Sequence, residues 1–456
     1  MKNSTKFISS FTAAILALSL ASCGNVTDPE PAANTNANTS AAAPEEPAVT
    51  TTTGEQPADP ASASKAQTPD VKTVSMTEKQ KLDFTKGSFD FSAELFKQCA
   101  LSDDNANTLV SPGSAMFALG MTANGARDKT SPTLSEMLAV LGGDSDLETL
   151  NAGLQNTYAH QSTTGVLSNA NSIWIKDGFD ISDDFITACG DLCGAEVSNI
   201  SFDEGTADII NDWINRKTNG MMPEALDEVP PNAVMYLVNA TAFDDKWKTA
   251  YEDYQCRENM TFTAADGTEQ DATMLYSTER SYIEGENVTG FIKPYENGFS
   301  FMALLPDENV PMTDFISSLD GDKLMELYNS QTNSYDVDAA IPEFSFDCDY
   351  LLNDPLQSMG MVNAFGELAD FGGISETAAY GIDGAFRISR VIQKTHISLD
   401  REGTKAAAAT VVEMETDGIE PEKETKAVHL DRPFVFSIID TTTGIPVFMG
   451  TVNTLS

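Results

Sequence analysis

From Ala233 to Phe243 the chain reads Ala-Val-Met-Tyr-Leu-Val-Asn-Ala-Thr-Ala-Phe, an almost continuous apolar run. A strand wet on one face alternates; one that does not is buried on both, so the fold needs a sheet covered on either side. Phe299 to Leu305 and Arg432 to Asp440 are further strand candidates, the latter reaching a turn at Thr443-Gly444 before Val447, Phe448 and Met449. Helical spacing comes earlier in the chain. Phe89, Phe91, Leu95 and Phe96 recur at helical spacing, and Ser111-Pro112-Gly113-Ser114 opens another apolar stretch with a capping hydroxyl and a Pro in its first turn. The pattern is mixed α+β without an internal repeat. By length alone, 456 residues suggest two or three domains.

The N-terminus is organised differently. Lys2 and Lys6 precede an apolar run from Phe7 to Leu20, then Leu20-Ala21-Ser22-Cys23. A basic start, a short apolar segment and small residues before a cleavage point make a secretory signal, too short for a spanning helix. Leu-Ala-Ser-Cys resembles the lipobox of bacterial lipoproteins, which implies that residues 1–22 are removed and that Cys23 is acylated, an extracytoplasmic protein lipid-anchored to the bacterial membrane or released extracellularly. From Gly24 to Ser75 there is no aromatic residue, Leu, Ile or Met, and 11 Ala with 7 Pro dominate. Such a segment cannot bury enough apolar surface to offset its ordering entropy, so residues 23–78 read as a solvated tether and 79–456 as the folded body.

Charge and histidine content exclude whole classes of function. The formal net charge is -42, and residues 1–80 carry five Lys against eight Asp or Glu, so -39 belongs to the rest. Nucleic acid would be repelled. His160, His396 and His429 lie far apart in the sequence, leaving little material for a His-based metal site or a Ser/His/Asp triad; His396 and His429 sit in strand patterns where a structural imidazole is the default. No metal cluster, phosphate loop or cofactor motif is found, so an enzyme is not expected. Beyond Cys23 the cysteines number five, so at least one thiol is free or bridges to another chain. Cys189 and Cys193 share a helix face between Asp183 and Ala195 and read as buried small hydrophobes.

The stretch from Arg401 to Asp431 is the informative one. Alternate residues Thr404, Ala406, Ala408, Thr410, Val412, Met414 and Thr416 are all small or apolar, and the intervening set is Lys405, Ala407, Ala409, Val411, Glu413, Glu415 and Asp417. This fits a strand with one buriable face, small enough at its start to slide between two neighbours. Gly418 and Pro421 end the pattern. By propensity alone the Ala run serves a helix equally well, and the alternation serves an ordinary surface strand.

Val428-His429-Leu430-Asp431-Arg432-Pro433-Phe434-Val435-Phe436-Ser437-Ile438 resembles the serpin signature, and Glu402-Gly403-Thr404-Lys405-Ala406-Ala407-Ala408-Ala409-Thr410 resembles the hinge of the serpin reactive loop. Asn107 through Ser114 is similar to the family's shutter segment, Asn171-Ser172-Ile173-Trp174 to a central strand, and Asn239-Ala240 with Phe243 and Trp247 to the adjoining strand and breach. Lys293-Pro294-Tyr295 with Met302 to Pro306, Ala369 to Ile374, and Phe448-Met449-Gly450 match as well. The resemblance spans Lys79 to Ser456, 378 residues, the size of one whole serpin rather than two or three domains.

The resemblance implies the serpin fold: α+β, helices around a large mixed main sheet with two further sheets and an exposed reactive loop. It implies a protease inhibitor that is a suicide substrate, whose cleaved loop inserts into the main sheet and traps the acyl-enzyme. The partner is a target protease, a serine protease first, with a cysteine protease or a non-inhibitory surface binding role as alternatives. Asp417, 14 residues beyond Gly403, makes Asp417-Gly418 the cleaved bond; the loop is longer than usual, so Met414, Thr416, Ile419 and Glu420 stand as alternatives. Ser111, Ser114, Asn239, Trp247 and Gln393 fall at shutter and breach positions. Gln393 stands where the family carries His, and Lys405 where it usually has Glu. The acidic body speaks against a heparin-like cofactor, and a monomer is expected.

Overall fold

A computed structural model describes residues 73–103, 105–126, 130–218, 226, 228, 229, 233–375, 386–404 and 423–455. The signal peptide, Cys23 and most of the tether lie outside the described residues. So do Lys405, Ala406, Ala407, Ala408, Ala409, Thr410, Met414, Thr416, Asp417, Gly418, Ile419 and Glu420. Val74 exchanges two hydrogen bonds with the Asn156 amide (2.7 and 2.8 Å), and Thr77 caps the first helix reciprocally with Gln80.

The helices are α1 (Glu78–Ala100), α2 (Pro112–Ala123), α3 (Pro132–Gly142), α4 (Leu147–Thr164), α5 (Asp183–Cys193), α6 (Thr206–Lys217), α7 (Met312–Ser318), α8 (Gly321–Asn329) and α9 (Asn353–Ser358). The strands are β1 (Thr108–Val110), β2 (Leu167–Lys176), β3 (Glu196–Ile200), β4 (Met235–Phe243), β5 (Asp245–Lys246), β6 (Cys256–Thr263), β7 (Glu269–Glu279), β8 (Ser281–Gly285) and β9 (Val288–Pro294). They continue with β10 (Phe299–Pro306), β11 (Tyr335–Pro342), β12 (Phe344–Leu351), β13 (Arg390–Leu399), β14 (Gly403–Thr404), β15 (Glu424–His429), β16 (Phe434–Asp440) and β17 (Pro446–Val452).

They form three sheets. One runs β1-β17-β16-β10-β9-β8 and a second β15-β11-β7-β6. The main sheet runs β3-β2-β4-β13-β14-β5, with β12 on the other side of β13. It is mixed: β2 meets β4 antiparallel while β4 meets β13 parallel. The expected apolar run is β4, buried at every position. Its Tyr236, Val238 and Ala240 pack under Trp213 and Ile210 of α6, while Met235 and Leu237 join the core built from α1, α2 and α5. That double cover is why the run does not alternate.

One local expectation fails. Ser111 precedes α2, but its hydroxyl makes no cap hydrogen bond and donates instead to the Val447 carbonyl at 2.9 Å. Pro at the first helical position removes one orphan N–H, and the hydroxyl is used to tie α2 to β17. Cys99, Cys189, Cys193, Cys256 and Cys348 are all free thiols, and all but Cys256 are buried. Burial pushes the Cys99 and Cys193 thiols up to about 12, so they behave as apolar side chains.

Candidate functional site

Two stations lie along the main sheet. At the first, Gly403 and Thr404 form a two-residue strand wedged between β13 and β5, Thr404 standing opposite Leu399 on one side and Asp245 on the other. Only glycine fits at 403. A Cβ there would sit 2.2 Å from the Asp245 carbonyl oxygen and 2.7 Å from the Lys246 Cα. Thr404 is buried, and its hydroxyl shares a 2.6 Å hydrogen bond with Tyr295. Tyr295 stacks on Trp247 with ring centroids 4.3 Å apart. Trp247 in turn grips the turn before the wedge: its backbone N–H donates to the Glu402 carbonyl and its indole N–H to the Asp400 carbonyl, both at 2.9 Å.

Charge is arranged around this aromatic pair. Lys293 is buried and ion-paired with Glu279 at 2.8 Å, and its ammonium lies 4.4 Å from the Tyr251 ring centroid. Asp245 accepts from the Lys246 N–H and from both nitrogens of Asn297. Burial raises its pKa above the ordinary carboxylate value, and those hydrogen bonds oppose the rise. Arg401 reaches outward to Asp253 at 2.6 Å.

At the second station β4 and β13 touch directly, Tyr236 to Thr241 against Arg390 to Thr395. Gln393 and Asn239 are register partners there, and each is fastened to the start of α2. Gln393 uses both ends of its amide on one residue: Oε1 accepts from the Ser111 N–H at 2.9 Å and Nε2 donates to the Ser111 carbonyl at 2.8 Å. Asn239 donates to the Ser114 hydroxyl, to the Ser114 carbonyl at 3.0 Å and to Asn171 Oδ1 at 2.6 Å. Thr241 donates to the same Ser114 hydroxyl. Asn239 Oδ1 and Asn171 Nδ2 are buried without a hydrogen-bond partner.

Of the residues singled out from the sequence, Ser111, Ser114, Asn239 and Gln393 thus meet at the second station, in two sets of hydrogen bonds side by side, and Glu402, Gly403, Thr404 and Trp247 meet at the wedge. Sequence reasoning missed Asp245, Asn171, Thr241 and Tyr295 as members of these stations. Asn239 and Thr241 interrupt an otherwise apolar strand, and that interruption was the available signal. His396 and His429 lie on strands and face Asp347 (2.7 Å) and Asp338 (3.2 Å).

A family model described as "Serpin (serine protease inhibitor)" matches residues 86–455. A serpin-like protein of Thermococcus kodakarensis is 28% identical over 365 residues, covering 79% of this chain and 83% of its own. One from Methanosarcina mazei is 29% identical over 379 residues, covering 80% and 85%. The native-state crystal structure of the thermophilic serpin tengpin is 40% identical, covers 84% of this chain and 96% of its own, and superposes with a TM-score of 0.74. Thyroxine-binding globulin in complex with thyroxine, 22% identical with a TM-score of 0.68, covers 82% of this chain and 100% of its own and shares the fold. With its three sheets, its mixed main sheet and a family match over most of its length, the chain belongs to the serpin family.

Proposed function

We propose that this protein is an inhibitor of a serine protease that acts as a suicide substrate. The protease nucleophile attacks the carbonyl carbon of Asp417, the bond to Gly418 breaks, its nitrogen leaves as a protonated amine, and an acyl-enzyme remains. The freed loop then inserts between β4 and β13 and carries the acylated protease with it before water can deacylate it.

The register of the wedge carries this reading. Thr404 stands opposite Leu399 in antiparallel pairing. Continued along β13, the same register brings Ala406, Ala408, Thr410 and Val412 opposite Ile397, Thr395, Gln393 and Val391, which are the buried set of that strand. Residues directly opposite in an antiparallel pair put their side chains on the same face. The small loop residues therefore fall on the buried side, and Lys405 and Glu413 fall opposite Ser398 and Arg390 on the half-buried side. A shift of one residue would bury both charges instead.

An acid at the cleaved position suits a protease with a cationic specificity pocket. The test is a panel of serine and cysteine proteases read on a denaturing gel, with mass spectrometry of the released C-terminal fragment. A covalent complex with a serine protease and a fragment beginning at Gly418 are expected. Absence of a complex with every protease sinks the reading, and cleavage that raises the melting temperature without any complex would favour a non-inhibitory binder. The protein acts as a monomer, held at an extracytoplasmic membrane by acylated Cys23. Incorporation of labelled fatty acid that disappears in Cys23→Ala checks the anchor, and unlabelled protein free in the medium would refute it.

A further inference from the structure

At the lower end of β4 and β13, where Arg390 stands opposite Tyr236, a cavity of about 320 Å³ opens beside α9. Tyr236, Asn353, Gln357, Arg387, Ser389 and Arg390 supply its polar lining. Three of these are committed to the scaffold. Asn353 donates to the Ser389 carbonyl at 2.8 Å and accepts from the Val391 N–H at 2.9 Å. The Ser389 hydroxyl accepts from the Val234 N–H at 3.0 Å, and Gln357 donates to the Asn353 carbonyl at 3.2 Å.

Among the described residues the other three have no acceptor at hydrogen-bond distance. Tyr236 is wholly buried and its hydroxyl has no partner. Among the described residues no carboxylate comes within ion-pair distance of Arg387 or Arg390. A buried hydroxyl is rarely left unpaired in a native protein, and the volume is at the lower end of the range for small-molecule sites. Arg390 and Tyr236 are register partners on neighbouring strands and both line the cavity; burial raises the Tyr236 pKa, the Arg390 charge opposes that rise and the Glu228 charge adds to it. Arg390 also lines an adjoining cavity of about 460 Å³, but that one carries Glu228 and Asp349 of its own.

We propose that the smaller cavity binds a small oxyanion, a carboxylate- or phosphate-bearing molecule, through Arg387, Arg390 and the Tyr236 hydroxyl. Guanidinium forks match the oxygens of either group two at a time. The chain's overall negative field opposes binding, but it is screened beyond about 8 Å at physiological salt, while the arginines act at contact. An occupant that holds Tyr236 on β4 and Arg390 on β13 ties together two strands that loop insertion must part. That consequence rests on the inhibitory reading above; the site itself does not.

Titration calorimetry on the full chain with citrate and with inorganic phosphate, against chloride at matched ionic strength, tests the site without any protease. One-to-one binding of at least one anion is expected, weakened about tenfold or more in Arg387→Gln, Arg390→Gln and the charge-retaining Arg390→Lys, which loses the fork. Tyr236→Phe keeps the ring and its packing and should weaken binding several-fold; the melting temperature of each variant without anion checks its fold. Binding of citrate alone identifies a polycarboxylate, and binding of phosphate identifies a simpler oxyanion. No binding of either, or binding that survives in both Arg387→Gln and Arg390→Gln, overturns the proposal. Saturating anion should also slow complex formation with the protease in the wild type and not in Arg390→Gln. An unchanged rate would remove the clamp and leave the site, whereas failure to inhibit any protease would remove the function and leave calorimetry to judge the site.

Discussion

Along one pair of strands the main sheet is spread at one end and zipped at the other. From Arg390 to Thr395, β13 pairs directly with β4, and only four residues further on Thr404 stands between Leu399 and Asp245. Strands in contact lie about 4.8 Å apart, so the gap grows to roughly 10 Å over those four residues. The spread end is held by backbone fit and aromatic packing: glycine at 403, a small residue at 404, Trp247 against Tyr295. The zipped end is held by side-chain amides fastened to α2. It also contains two buried polar atoms without partners, Asn239 Oδ1 and Asn171 Nδ2, each costing about 1–3 kcal/mol. If the loop inserts as proposed, the wedge is where the seam between β4 and β13 would begin to open.

The sharpest way to break this contrast is at the spread end. Thr404→Arg puts a charge into a site that is 2% exposed and deletes the hydrogen bond to Tyr295. A buried unpaired charge costs several kcal/mol, enough to stop insertion. Covalent complex should vanish from the gel while the loop is still cut, and cleavage should no longer raise the melting temperature. A variant that still forms complex would show that the wedge is not the point of insertion.

The zipped end should answer next. Gln393→Ala strands the Ser111 N–H in a buried site, while the Ser111 carbonyl keeps the Ala115 N–H, a loss of about 1–3 kcal/mol. Differential scanning calorimetry should report a melting temperature lower by several degrees, and uncleaved protein should convert to an inserted form faster on warming. No change in either would mean that Gln393 does not hold the seam. Gln393→His adds a proton to the same place. Burial lowers the folded-state pKa of such an imidazole below its unfolded value near 6.5, so its stability contribution is present above about pH 6.5 and lost as pH falls through the folded pKa. Inhibition rates between pH 5.5 and 8 should depend on pH more steeply in the variant than in the wild type, and equal slopes would refute the assignment.

How much of this was legible in the sequence depends on how far each contact reaches. The double burial of β4 and the helix face of Phe89 to Phe96 follow from periodicity, because each is a property of consecutive residues. The burial of Thr404 was legible for the same reason, while the alternation beyond it lies outside the described residues. The resemblance to serpins brought Ser111, Ser114, Asn239 and Gln393 onto one list, but not the way Gln393 grips a single backbone. Ser111 was misjudged because capping is the local option, while the hydroxyl found the Val447 carbonyl 336 residues away. Asp245 and the arginines of the small cavity left no local trace, and Tyr295 was matched to the family without its place at the wedge. Their partners come from distant segments that only the folded sheet brings together.

The smaller effects separate packing from charge at the spread end. The native-state pKa of Asp245 is raised by burial, so the native protein holds that proton more tightly than the unfolded chain does. Its contribution is most favourable at pH below the unfolded value, near 3.9, and is lost as pH rises through the folded one. Asp245→Asn removes this titration, and its stability relative to wild type in urea should rise as pH goes from about 4 to 6. A constant difference would show that the carboxylate is not penalised there. Arg401 should matter least. Its partner Asp253 has a side chain 91% exposed, and ion pairs of that kind contribute about 0–1 kcal/mol. Arg401→Ala should shift the melting temperature by no more than a few degrees and leave the rate of complex formation unchanged. A tenfold slower rate would mean that a charge latch, not the fit of Gly403 against Asp245, sets where the two halves of the sheet meet.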